Sequence, residues 1–440
     1  MMRKIACCWM LIALAACAAE APLSERVVRS EMARCPEGSW LDGREGTLKW
    51  NYTTGLELKA FLDVYDSHGG EDIFHYVEDW YDAIIDEDGR IPNYKRSNYS
   101  TDHICPGRTL FRLYELTGKE KYRKVMDSLY LQIREQPRTP EGGFWHKQIY
   151  PDQMWLDGLY MAQPFYALYT AAFVPDSLKA RNYADIVHQF TLVYDHTFDP
   201  ATGLLRHAWD SSHRMFWCNP ETGQSDHAWG RAMGWYAMAL VDVIPLLPEG
   251  EGHDTLVNLL KRVFIALPLF ADSETGLWYQ VLDRPGAEGN YLEATCNSMF
   301  AYAMLKGTRE GWLEDITPED ARRTYEVVVR HFVRVDEEGL VNLDRCCEVA
   351  GLGGKTMRRG DYDYYINEPV RSNDPKGIGP LIWAALEYER KLGIAFYRFC
   401  QRLWSAGWLA AIRARDRTNP RPSRSRRPPM CGSTATPTTR

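Results

Sequence analysis

The chain has 440 residues, 45% hydrophobic, 25% charged and 12% aromatic, a globular balance that excludes a collagen, a fully disordered chain and a multi-span membrane protein. Its net charge of −7 is uneven: residues 398–440 hold ten Arg and one Asp, or +9, which leaves −16 on residues 1–397. A body that acidic argues against nucleic acid as a partner.

At the start, Arg3 and Lys4 precede an apolar run of twelve residues, Ile5 to Ala16. Twelve are too few to span a bilayer, so residues 1–17 read as an export signal. Its end, Leu14-Ala15-Ala16-Cys17, resembles a bacterial lipobox. That implies a lipid anchor through Cys17 and a periplasmic or outer-membrane location. Cleavage near Ala18, giving a soluble periplasmic protein, is the alternative. Of eleven cysteines, the eight beyond the signal are scattered, with no C-x-x-C and no Cys/His cluster of zinc spacing. No structural metal is expected, and the thiols are expected to be free and buried.

Helical patterns then alternate. An amphipathic segment over 23–33, with Leu23, Val27, Val28 and Met32, precedes a segment apolar nearly all round at 52–66. The alternation continues with amphipathic 71–85, apolar 102–117, amphipathic 122–133, apolar 155–173, amphipathic 178–194 and apolar 228–247. It ends with amphipathic 254–270, apolar 292–307, amphipathic 317–334 and apolar 376–391. An amphipathic helix buries one face, whereas a helix apolar on every side must be buried on every side. A turn signature separates the units, at Gly89, Gly142, Gly203, Gly276 and Gly339, with spacings of 53, 61, 73 and 63 residues. Periods of that size mark a repeated supersecondary unit. Six buried and six amphipathic helices close into a double ring. The prediction is one all-α domain, an (α/α)6 toroid over about 20–394, with an open solenoid as the alternative. Residues 395–440, rich in Arg and Pro, read as a basic disordered tail. A tail for anionic lipid or polysaccharide is the alternative.

Unusual polar residues gather where the buried helices begin: Tyr52, Asp102, Asp157, Trp229 with Arg231, Glu293, and Asp374 with Lys376. Thr101, Asp226, Asn290 and Asn373 are the expected caps of four of these helices. Lys147 and His207 lie on extended stretches leading into them. Inner helices of a toroid run the same way, so their N-termini meet at one mouth, expected to be walled by Trp50, Trp155, Trp229 and Trp235. Helix N-termini favour an anionic ligand there. Asp157 sits in the apolar run Met154-Trp155-Leu156-Asp157-Gly158-Leu159, where burial is expected to raise its pKa, as a general acid requires. Each residue has a structural alternative: Asp102 as a first-turn acid, Arg231 on a loop carbonyl, Lys147 in solvent, His207 as a satisfied fold histidine, the tryptophans as core.

Gly143-Phe144-Trp145-His146-Lys147, Gln153-Met154-Trp155-Leu156-Asp157-Gly158-Leu159-Tyr160-Met161-Ala162, Trp229-Gly230-Arg231-Ala232-Met233-Gly234-Trp235 and Asn373-Asp374-Pro375-Lys376-Gly377 resemble the unsaturated rhamnogalacturonyl hydrolases, glycoside hydrolase family 105. Trp50-Asn51-Tyr52, Asp102 before Pro106-Gly107, and Asn290-Tyr291-Leu292-Glu293 follow the same pattern. The resemblance covers about 45–391. It implies hydration of the C4=C5 double bond that a polysaccharide lyase leaves on a terminal uronic acid. Asp157 would protonate C4 and then activate the water that adds at C5. Asp102 would hold Asp157 or the sugar in register. Tyr52, Lys147, His207, Trp229, Arg231 and Trp235 would contact a small anionic oligosaccharide, with Arg231 and Lys147 open as partners of the uronate. No metal or organic cofactor is implied. A related family acting on unsaturated glycosaminoglycan fragments shares the fold and is the nearest alternative; a non-catalytic glycan binder is the third.

Overall fold

The computed structural model describes residues 21–43 and 46–390. The export signal with Cys17 and the tail over 395–440 lie outside the described residues.

Among the described residues, twelve helices form the two layers. The inner ones are α2 (Tyr52–His68), α4 (Gly107–Thr117), α6 (Leu156–Phe173), α8 (Gly230–Val243), α10 (Ala294–Arg309) and α13 (Pro375–Glu389). The outer ones are α1 (Leu23–Arg34), α3 (Glu71–Ile84), α5 (Glu120–Glu135), α7 (Asp176–Thr197), α9 (Glu251–Ala266) and α11 (Pro318–Phe332). A short α12 (Tyr362–Asn367) lies in the last long loop. Hydrophobic patterning sorts the layers: every residue of α8 is buried, whereas α11 buries Ala321, Tyr325, Val328 and Phe332 along one stripe. Inner helices touch in sequence order, and α13 then packs on both α1 and α2. The ring is therefore closed, as the count of six and six predicts. At the seam the Glu389 carboxylate accepts hydrogen bonds from the backbone N–H and hydroxyl of Ser24.

The recurring glycine turn has a physical cause. After each of the outer helices α3, α5, α7, α9 and α11 the chain must reverse toward the next inner helix. Gly89, Gly142, Gly203, Gly276 and Gly339 do this with φ between 74° and 96°, a region that costs L-residues. Their N–H groups donate to the carbonyls of Asp86, Thr139, Asp199, Asp272 and Asp336. Aspartate side chains brace the loops: Asp272 Oδ1 accepts from Thr275 N at 2.9 Å and from Thr275 Oγ1 at 2.8 Å. At Gly276 nothing lies within 4 Å of where a Cβ would stand. Gly276→Ala is therefore expected to cost backbone strain alone, about 1 kcal/mol, read as a lower denaturant midpoint with unchanged slope. An unaltered midpoint would contradict this reading of the turn.

Helix starts differ from the expected caps. Glu293 caps α10, accepting from Cys296 N at 2.7 Å, and Asp374 caps α13, accepting from Lys376 N at 2.9 Å. The expected caps lie one to five residues earlier, in the preceding loops. Asn290 bridges Val281 and Arg284, and Asn373 Oδ1 accepts from Leu343 N at 2.8 Å. Thr101 opens a single 3-10 turn, Thr101–His103, ahead of α4. Asn290 and Asn373 meet loop amides, whereas the Thr101 hydroxyl donates to the His146 carbonyl at 3.1 Å.

The extended stretches before the inner helices join into a broken collar of β pairs. β1 (Gln153–Trp155) runs antiparallel to β2 (Ala208–Asp210), with Trp155 opposite Ala208. β3 (Val333–Val335) pairs with β4 (Val341–Leu343), and β5 (Cys346–Cys347) with β6 (Val370–Arg371). Single contacts continue the collar: Thr101 N to His146 O, His146 N to Gln153 O, His207 N to His227 O and Gly230 N to Gln280 O. This collar sets the register of Lys147, Asp157 and His207 at the mouth.

Candidate active site

Because Trp155 and Ala208 are paired, Asp157, two residues beyond β1, meets His207, one residue before β2. Their Oδ2 and Nε2 atoms are 3.2 Å apart. The approach is too oblique for a hydrogen bond, and neither atom has another partner in the described structure. On its other ring nitrogen, Nδ1, His207 lies 2.7 Å from the Tyr365 hydroxyl. The neighbouring collar segment brings Lys147 Nζ to 2.5 Å from Asp102 Oδ2 and His146 Nε2 to 3.7 Å from Asp102 Oδ1. The His146 ring stacks on Trp155 at 4.5 Å, and Trp155 meets His207 edge-on at 5.4 Å. His146 and Trp155 thus bridge the two carboxylates.

Across the mouth, Arg231 lies over the Trp229 ring at 4.6 Å and donates to the Cys347 carbonyl at 2.6 Å. The loop-carbonyl role weighed for this arginine is therefore present. Its Nε is buried without a partner. Trp229 contacts the His207 ring at 4.8 Å and donates through Nε1 to Gln280 Oε1 at 3.1 Å. Trp235 packs on Tyr160 at 4.8 Å and edge-on to Tyr52 at 6.5 Å. Burial keeps the Tyr52 hydroxyl protonated, and the charges of Arg231, Asp102, Asp374 and Asp157 all reach it. The structure therefore gathers Tyr52, Asp102, Lys147, Asp157, His207, Trp229, Arg231 and Trp235 around one point. Within that set the exposure is graded. Side chains of Asp157, Asp102 and Lys147 remain 14%, 18% and 24% exposed, while Trp229, Arg231 and Trp235 are at 1%. The two carboxylates and the lysine are what an incoming ligand can reach first.

Two expectations are corrected. Trp50 does not wall the mouth: it stacks on Trp80 at 5.9 Å and its Nε1 donates to the His103 carbonyl at 2.8 Å, fixing the turn that carries Asp102. Nor is the Asp157 carboxyl raised. Burial does push it up, but the adjacent His207 and His146 outweigh burial and hold it below the ordinary carboxylate range. Asp102 is likewise held low, with Lys147 and His146 overcoming its burial. His146 is pushed down to about 4, by burial first and then by Lys147, so it is neutral at physiological pH.

His146, Gln280 and Tyr365 were not singled out from the sequence. His146 stood beside Lys147 in a quoted motif. Gln280 lies in a loop and Tyr365 on α12, a helix of six residues too short to leave a periodic trace, and their partners are remote in sequence. Gln280 touches three parts of the site: Trp229 Nε1, the Cys347 sulfur at 3.0 Å and the Tyr365 carbonyl at 3.3 Å. Glu293 accepts from Cys347 N at 2.8 Å, steadying the peptide that holds Arg231. A surface cavity of about 1290 Å³ lies elsewhere, on the outer flank of α11 between Arg322, Glu326 and His331.

Comparison with known proteins identifies the family. The model of Glycosyl Hydrolase Family 88 matches residues 23–392. A glycoside hydrolase from family 105 of C. acetobutylicum ATCC 824 is 42% identical, with a TM-score of 0.79, covering 84% of this chain and 99% of that one. The unsaturated rhamnogalacturonyl hydrolase YesR of Bacillus subtilis (strain 168) is 26% identical over 263 residues, 58% of this chain and 70% of its own. An unsaturated glucuronyl hydrolase specific for heparin shares the fold at 11% identity and a TM-score of 0.59, covering 84% of this chain and 98% of its own. A family match along almost the whole ring, with 42% identity across nearly all of a family 105 enzyme, places the chain in the glycoside hydrolase family 88/105 group, as a family 105 unsaturated glycuronyl hydrolase.

Proposed function

We propose that the enzyme acts on unsaturated galacturonyl-rhamnose oligosaccharides of the kind released from the pectin rhamnogalacturonan I, and that Asp157 carries the chemistry. The supporting observation is the pairing of a partly reachable Asp157 with a buried His207 inside a wall of Trp155 and Trp229. The likeness to YesR favours this substrate over a glycosaminoglycan fragment.

In the empty site Asp157 is a carboxylate. A bound uronate brings a second negative charge beside it, and like charges in a dry site raise a carboxyl pKa. Binding thus draws a proton onto Asp157, and the substrate itself prepares the general acid. Asp157 gives that proton to C4, positive charge develops at C5 and the ring oxygen, and the restored carboxylate takes a proton from the water that adds at C5. The hemiketal so formed opens, and the glycosidic bond at C1 breaks in turn. Asp102 with Lys147 aligns sugar hydroxyls, and Arg231 supplies a fixed positive charge for the uronate. Tyr52 gives the sugar a flat face, backed by the buried Trp235, and Trp229 backs His207 from within the wall. Because the double bond is hydrated, the carboxyl-separation rule for ordinary glycosidases does not apply.

The test offers lyase-made unsaturated rhamnogalacturonan and chondroitin disaccharides in parallel and follows loss of alkene absorbance. Faster consumption of the rhamnogalacturonan product is expected. Turnover of the chondroitin product alone would move the enzyme to the glycosaminoglycan class. Binding of either without turnover would reduce it to a glycan binder.

A further inference from the structure

We propose that Tyr365 is a positioning residue that fixes the tautomer of His207, so that the proton on Nε2 faces Asp157. The inference deepens the reading just given, because it assumes that Asp157 is the reacting group.

Tyr365 lies on α12, in the loop between β5 and β6, 158 residues from His207 in sequence. Both side chains are fully buried, and the hydroxyl stands 2.7 Å from Nδ1. Among the described residues that nitrogen is the hydroxyl's one hydrogen-bond partner. Burial keeps the phenol protonated. A buried O–H with one neighbour donates to it, since the alternative leaves its hydrogen unpaired. A neutral imidazole that accepts at Nδ1 carries its proton on Nε2. That nitrogen is 3.2 Å from Asp157 Oδ2, and neither atom has another partner. An ionised carboxylate can only accept, so both ends of the ring demand the same tautomer. With the proton on Nδ1, the lone pair of Nε2 would face the lone pairs of Oδ2 in a buried site.

The arrangement is braced on every side. The Tyr365 ring stacks on Trp229 at 6.0 Å and meets Tyr364 edge-on at 5.3 Å. Its carbonyl accepts from Gln280, which also holds Trp229. Phenylalanine would keep these ring contacts and lose one oxygen. In the reaction the Nε2 proton stays on His207. It is released to no one, but it receives the carboxylate that forms each time Asp157 gives its proton to C4.

The experiment labels histidine with 15N and reads the His207 ring nitrogens in the substrate-free protein, assigned by their loss in His207→Gln. The expected spectrum has a bare Nδ1 and a protonated Nε2. A protonated Nδ1, with Nε2 either bare or also protonated, would overturn the proposal whatever the substrate turns out to be. In Tyr365→Phe the ring is expected to lose this fixed pattern. Its kcat on the unsaturated disaccharide should fall about 10- to 100-fold, part of what a positioned acid–base group supplies, with KM changed less than about threefold. A kcat equal to wild type would also overturn it. If the variant does not fold, the wild-type spectrum alone decides. Failure of the wild-type enzyme to turn over any unsaturated uronide would reject the proposed function and leave the tautomer measurement standing.

Discussion

Asp157→Asn is expected to lower turnover of the unsaturated uronide by about 10³-fold or more while leaving its binding nearly intact. Asparagine matches the carboxylate in size and can still meet His207, but it can neither give C4 a proton nor take one from water. Removing a positioned acid–base group costs about 10²–10⁴-fold. Here one side chain serves both steps, so the upper part of that range applies. The pH profile adds an independent check. His207 and His146 hold the free carboxyl low despite its burial, so the reactive acid form is the minority species in free enzyme at neutral pH. Wild-type kcat/KM should therefore climb as pH falls from neutral toward the carboxylate range, and the climb should be missing in the residual activity of the variant. Loss of alkene absorbance measures the rate and calorimetry the binding. A variant within tenfold of wild type would remove Asp157 from the reaction.

The largest effect on stability is expected at Asp242, buried near the C-terminal end of α8. Its carboxylate accepts from Arg108 at 2.7 Å, from the Tyr302 hydroxyl at 2.6 Å and from Lys306 at 2.8 Å. These join α4, α8 and α10. Asp242→Asn leaves two cations facing each other with no anion between them. Breaking a buried pair in this way costs about 3–5 kcal/mol, a large share of a typical stability of about 5–15 kcal/mol. Burial alone would raise the Asp242 carboxyl, yet Lys306 and Arg108 together hold it far below the ordinary range. A depressed carboxyl contributes stability above its unfolded pKa and loses it as pH falls through that value toward the folded one. Denaturant unfolding at neutral pH should show the full loss in the variant, and the gap from wild type should narrow in acid. A neutral-pH difference below about 1 kcal/mol would mean that solvent, not this network, balances the cations.

These two carboxylates show what a sequence can and cannot say. The twelve helices were legible because burial on one face or on all faces leaves a periodic trace, and six of each kind imply closure. The mouth was legible because polar residues at the starts of otherwise apolar helices are conspicuous. The chemistry of Asp157 was not, since its flanking residues are greasy while the histidine that reverses its titration arrives 50 residues later, through the pairing of β1 with β2. Tyr365 and Gln280 were hidden for the same reason: loop residues acquire their roles from partners that no local pattern announces. Trp50 looked like a wall because it neighbours Tyr52, yet its ring turns back to support Asp102.

The seam between Ser24 and Glu389 has a consequence for how the enzyme could be rebuilt. Since the first and last of the described helices, α1 and α13, already touch, a short peptide between them could make the ring covalently endless. The chain could then begin at any exposed reversal on the face away from the mouth, such as the loop around Gly250, as a circular permutant. Which hairpin is synthesised first would become a free choice, separable from the shape the helices adopt.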